Sequence, residues 1–130
     1  MSKLGTYLVN GEAGNPQMPG APTLHFSLLV VSATGKVSGH AMITQAIAPP
    51  QGQKYINDIT GQVRATGLGP ITKVVSLKGT YYDILPPPAI GTIAVPFEAS
   101  FAVNNEWVGR GSFSCGTVHA EDVPVQNIPQ

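Results

Sequence analysis

The sequence predicts an all-β fold of consecutive antiparallel hairpins, and three observations predict it. Apolar residues recur with a period of two along almost the whole chain, the spacing of strands with one buried face. Fifteen glycines and twelve prolines punctuate those runs where strands must end or turn. No stretch pairs a 3.6-residue apolar period with capping residues, so no helix is expected. About eight strands in up-and-down order follow. The preferred arrangement is a barrel, because closure removes exposed edges; a two-sheet β-sandwich is the alternative. Gly39, Gly61, Gly79, Gly109 and Gly111, all inside strands, suit tight bends at barrel corners.

The elements can be justified in turn. A short strand is expected over 5–10. The next, 23–32, carries Leu24, Phe26, Leu28 and Val30 on one face. A turn at Ala33-Thr34-Gly35-Lys36 leads to 37–46, with Val37, Gly39, Ala41 and Ile43 on the matching face. That turn sets Phe26 against Ile43 and Leu28 against Ala41, with His25 beside Thr44. Residues 55–66 alternate Tyr55, Asn57, Ile59, Gly61 and Val63 against Asp58, Thr60, Gln62 and Arg64. Residues 71–83 return after Gly67-Leu68-Gly69-Pro70 and place Val75 opposite Val63 and Leu77 opposite Gly61.

The clearest strand is 92–104, with Ile93, Val95, Phe97, Ala99, Phe101 and Val103 in one row. A three-residue loop, Asn104-Asn105-Glu106, pairs it with 107–117, setting Val103 against Trp107, Phe97 against Phe113 and Val95 against Cys115. A register slipped by one would turn every apolar side chain to the wrong face. The same register makes Glu98 and Arg110 diagonal neighbours, a surface ion pair of small worth. A last strand is expected over 119–125. Pro96 and Pro124 cannot donate to a ladder and belong at an edge, a bulge or a strand end.

At 130 residues the chain is one domain in length, residues 1–130, large enough to form a core without staples. Charged residues make up only 11% and the formal net charge is zero. Nucleic-acid binding needs clustered Lys and Arg and is not expected. No run of apolar residues is long enough for membrane insertion by a helix. The residues after Met1-Ser2-Lys3 lack the apolar core of a signal peptide, which gives a cytoplasmic expectation by default, with signal-independent export still open. The lone Cys115 is expected to behave as a small buried hydrophobe.

In a meander, alternate loops share an end. The connections over 11–22, 47–54 and 84–91 emerge together and are long, apolar and proline-rich; those at 33–36, 67–70 and 104–106 are tight. Prolines restrict the free chain, so the first set can present a defined surface at low entropic cost. Tyr55, Tyr81 and Tyr82, with Asp83 and His25, gather toward that end and form the candidate ligand-binding set. Strand-end tyrosines also serve simply to cap a core. His25, His40 and His119 lack the close spacing of a metal motif, and no nucleophile elbow occurs, so no metal, cofactor or catalytic residue is assigned.

The segment Pro22-Thr23-Leu24-His25-Phe26-Ser27-Leu28-Leu29-Val30, continued by Gly39-His40-Ala41-Met42-Ile43-Thr44-Gln45-Ala46 and Pro49-Pro50, resembles an uncharacterised bacterial family of small β domains, a domain of unknown function. The resemblance implies a bacterial origin and a non-enzymatic small β protein. It assigns no site residues. The first functional reading is therefore a non-catalytic interaction or structural module that forms a homo-oligomer, because low charge leaves little repulsion between copies. The alternative is a binding barrel taking a small apolar or glycan-like ligand at the proline-rich end. A barrel-type isomerase comes third.

Overall fold

In the computed structural model, which describes residues 5–15, 18, 20–45, 53–69, 71–85 and 87–128, all regular structure is strand. Eight strands run β1 (Thr6–Ala13), β2 (Thr23–Val31), β3 (Lys36–Thr44), β4 (Gln53–Leu68), β5 (Ile71–Ile84), β6 (Thr92–Val103), β7 (Gly109–Cys115) and β8 (Val118–Asn127). Each pairs antiparallel with the next, and β8 returns to β1, closing a barrel in plain meander order. The sandwich alternative does not hold. The closing seam is short: Gly11, Glu12 and Ala13 face Asn127, Gln126 and Val125.

The apolar stripes read from the sequence for β2, β3, β5, β6 and β7 point inward, and that of β4 does so only from Ile59 onward. Leu24, Phe26, Leu28 and Val30 of β2 meet Val75 and Leu77 of β5, Phe97, Phe101 and Val103 of β6, and Phe113 and Cys115 of β7 in one buried cluster. Phe26 and Phe101 lie on diametrically opposite strands, yet their ring centroids are 5.2 Å apart, so the interior is filled across its width. Rings sit over glycines where the walls crowd. Phe101 faces Gly111 and Phe26 faces Gly11. A Cβ on Gly11 would lie 2.6 Å from the Phe26 ring. Only a missing side chain leaves room for the aromatic.

Register is where the sequence expectations need correction. The β4–β5 hairpin agrees: Gly61 pairs with Leu77 and Val63 with Val75. The β2–β3 hairpin is shifted by two: Phe26 pairs with Ala41, Leu28 with Gly39 and Val30 with Val37. Its four-residue loop is Ser32 to Gly35, because the left-handed Gly35 (φ 73°) takes the last loop position and Lys36 already belongs to the strand.

The β6–β7 hairpin also shifts by two, in the opposite direction. Phe97 pairs with Cys115, Ala99 with Phe113 and Val103 with Gly109, not with Trp107. The connection is five residues, 104–108. Asn104 Oδ1 accepts from the backbone N–H groups of Glu106 (2.9 Å) and Val108 (3.0 Å), standing in for a ladder partner. Trp107 adopts φ 61°, leaves the strand and turns into the core beside Phe26, with ring centroids 6.3 Å apart. The indole thus plugs the tight-turn end. Because both shifts are by two, every inward side chain stays inward. The expected Glu98–Arg110 neighbourhood is lost with the register: Arg110 bonds Asp122 instead, Nε to Oδ1 at 2.6 Å.

A bulge accounts for the remaining difference. Gly39 pairs with Ile59 and Ala41 with Ile56, so β4 carries one extra residue there and its faces exchange. Ile56 and Ile59 are both buried, whereas Tyr55 is turned onto the outer wall. Pro96 lies on the part of β6 that lacks β7 as a neighbour, the edge position expected of it.

Candidate functional site

The five residues singled out from the sequence fall into three places. Tyr81 and Asp83 share the inward face of β5 at the proline-rich end, where Tyr81 pairs with Val95 and Asp83 with Ile93. A side-chain hydrogen bond joins the tyrosine hydroxyl to the Asp83 carboxylate. Lys54 Nζ lies 4.8 Å from the centroid of the Tyr81 ring, over its face. Tyr81 is packed against the core cluster, so this group closes the barrel end opposite Trp107. Burial, then the Asp83 charge, raise the Tyr81 hydroxyl above the ordinary phenol range. Burial likewise raises the Cys115 thiol, with Lys54 pulling it the other way. A thiol held protonated is a poor nucleophile.

His25 occupies the outer wall in a row that runs Gln126, Glu12, His25, Met42, Tyr55 across five strands. Tyr55 is thus on the same row as His25, two strands away, and hydrogen-bonds Gln53 Oε1 at 3.3 Å. His25 Nε2 lies 3.2 Å from Thr44 Oγ1. Its Nδ1 is 3.6 Å from Glu12 Oε2, and Gln126 Nε2 donates to Glu12 Oε1 at 2.8 Å. Hydroxyl, imidazole and carboxylate stand in the order of a hydrolytic triad. Thr44, however, is laddered on both sides, to Thr23 and to Gln53. Among the described residues, the N–H groups on the neighbouring strands are therefore committed to strand pairing and do not converge on a developing oxyanion. What the network does is tie β8, β1, β2 and β3 together across the short closing seam.

Tyr82 stands apart, on the outward face opposite Tyr81, within a projection of the fold. The β4–β5 pairing stops at Thr60 and Lys78, and the β6–β7 pairing starts at Phe97 and Cys115, but β5 and β6 stay paired as far as Ile84 and Thr92. Residues 80–84 and 92–96 thus ladder only with each other, forming an arm. Tyr81 and Val95 pack back on the core, but other apolar side chains of this stretch and its connecting loop are open to solvent: Tyr82 is 64% exposed, Ile84 79%, Ile90 96% and Ile93 51%.

The structure also gathers residues that periodicity alone left as ordinary outer positions. Two polar rows cross the outer wall in register. One runs Ser38, Thr60, Lys78, Glu98, Ser114, His119 from β3 to β8; the other runs Lys36, Gln62, Ser76, Ser100, Ser112 from β3 to β7. Both line a cavity of about 1240 Å³. Its floor is the backbone of the intervening row, Val37, Gly61, Leu77, Ala99 and Phe113. The side chains of Val37, Leu77, Ala99 and Phe113 point the other way, into the core. A signal was present in the sequence: the outward positions of these strands carry Ser and Thr where a merely solvated face carries Lys and Glu. Registering those positions across six strands required the fold.

None of the curated proteins searched matches this chain. A family described as a domain of unknown function (DUF1842) matches residues 4–118, which includes β1 to β7 entire and reaches the first residue of β8. A match over that much of the barrel shows the relationship the residues 22–50 suggested: the chain belongs to the DUF1842 family.

Proposed function

We propose that this protein is a non-catalytic interaction module that associates with a second copy of itself through the β5–β6 arm. One observation carries the reading: an arm paired only with itself that holds Tyr82 and Ile84 out in water on its outward face, Ile93 on the other face and Ile90 in the connecting loop. Large apolar side chains exposed together mark association surfaces more often than idle surface. The edge of β6 along 92–96 is free of β7, and an open strand edge invites pairing unless it is blunted by charge. Residues 84–96 carry no charged residue at all. A chain with zero net charge also lacks the long-range repulsion that keeps copies apart.

The barrel interior favours this over a lumenal ligand, since Phe26, Phe101 and Trp107 already fill it. The polar outer rows are likewise unlike the apolar band of a membrane-spanning barrel. Sedimentation equilibrium at roughly 100 µM is the test, the concentration being chosen to populate even a weak dimer. The wild type should sediment with the mass of two chains, and Ile84→Glu with Ile90→Glu should sediment as one chain with unchanged thermal stability. A wild-type protein that stays strictly monomeric would overturn the proposal.

A further inference from the structure

Beyond the arm, we infer that the groove across the outer wall is a binding site for a neutral oligosaccharide. The donor set is the argument. The hydroxyls of Ser38, Thr60, Ser76, Ser100 and Ser114 have no hydrogen-bond partner within the chain, among the described residues. Each both donates and accepts, as sugar hydroxyls do, and Gln62, whose Nε2 also donates to the Thr34 carbonyl at 3.3 Å, adds an amide beside them.

Strand geometry spaces these groups about 5 Å apart across strands and about 7 Å apart along them, so a ligand with many hydroxyls meets several at once. Charge selects among such ligands. Lys36 and Lys78 are balanced in the lining by Glu98 and Glu121, and no arginine is present to clamp a phosphate or carboxylate. An anionic or cationic ligand finds no excess of opposite charge there. The cavity, about 1240 Å³, exceeds the space a single small molecule needs and suits several linked units.

The lining sets the strength as well. Its one phenylalanine, Phe113, is buried in the core, so the only ring offered to a sugar face is the small imidazole of His119, without the area of a tyrosine or tryptophan. Hydrogen bonds to hydroxyls largely replace those to water. Binding should therefore be weak, with a dissociation constant on the order of 1 mM for a short oligosaccharide.

Amide chemical-shift mapping of the whole chain against maltohexaose, cellohexaose and chitohexaose tests this, with a heparin hexasaccharide as the anionic comparison. Saturable shifts centred on Ser38, Thr60, Ser76 and Ser100 with at least one neutral hexasaccharide are expected. Ser76→Ala with Ser100→Ala should weaken that binding about tenfold, the equivalent of two lost hydrogen bonds, while the melting temperature stays unchanged. No saturable shift at these positions with any neutral hexasaccharide up to tens of millimolar would overturn the inference. So would binding confined to the heparin fragment, or shifts gathered at the turns near Thr34 and Asn105.

Discussion

A double-mutant cycle on Phe26 and Phe101 tests the closed barrel at the point where closure has an energetic signature. Phe26 is on β2 and Phe101 on β6, four strand steps apart in either direction round the barrel. In an unrolled sheet four steps amount to about 19 Å, far beyond contact. In the barrel their ring centroids are 5.2 Å apart at an interplanar angle of 34°. Both rings are buried, 3% and 1% exposed. Truncating either to alanine would cost about 3–5 kcal/mol. Two such losses rival the whole stability of a small domain, about 5–15 kcal/mol.

Leucine is therefore the better substitution. It keeps an apolar side chain in each place and should cost roughly 1–2 kcal/mol, below the truncation range. Urea unfolding of the wild type, both singles and the double, followed by far-UV circular dichroism, gives the coupling directly. The aromatic contact should contribute about 0.5–1.5 kcal/mol beyond the burial each ring achieves alone, so the double variant should lose less than the sum of the singles. Additivity within about 0.3 kcal/mol would mean that the rings do not meet, and the wall-to-wall core would be refuted.

Two further outcomes follow from the proline-rich end. Cys115 is buried on β7 and its thiol is held protonated, so native protein should react with a thiol reagent orders of magnitude more slowly than urea-unfolded protein; rapid stoichiometric labelling would place the thiol at the surface. Stability should also fall at alkaline pH. Tyr81 and Cys115 both have folded values raised above the ordinary 10.0 and 9.0, so the unfolded chain gives up these protons first and binds fewer of them as pH rises. Their contribution is complete below pH 9 and is lost progressively above it. Urea midpoints measured from pH 8 to pH 11 should decline, less steeply in Cys115→Ala, and a flat profile would contradict the buried placement.

Outside the first part of β4, alternation along the chain was enough to assign which side chains face the core. Strand alternation is a local property, so Phe97, Phe101 and Phe113 could be assigned inward before any fold was known, and all three are buried. Meander order was legible for a related reason: the hairpins at 33–36, 67–70 and 104–106 are each closed by a short loop with turn residues of its own. Register was legible only to within two residues. A slip of two leaves every apolar residue inward, so the hydrophobic pattern cannot separate Val95 from Phe97 as the neighbour of Cys115. The choice falls to the loop, where the Asn104 carboxamide and the left-handed Trp107 hold five residues in place of three.

The candidate site divides along the same line. Tyr81 and Asp83, two residues apart on one strand, necessarily share a face, and their grouping was visible in the sequence. Tyr55 was misplaced, because the bulge opposite Gly39 and Ala41 inverts β4 and carries no reliable local signature. The arm and the polar groove belong wholly to the tertiary structure. The arm exists because β4 and β7 stop pairing before β5 and β6 do, and the groove because serines far apart in the chain fall into register across six strands. Each depends on where neighbouring strands begin and end relative to one another, and closure of the barrel, rather than any single segment, fixes that.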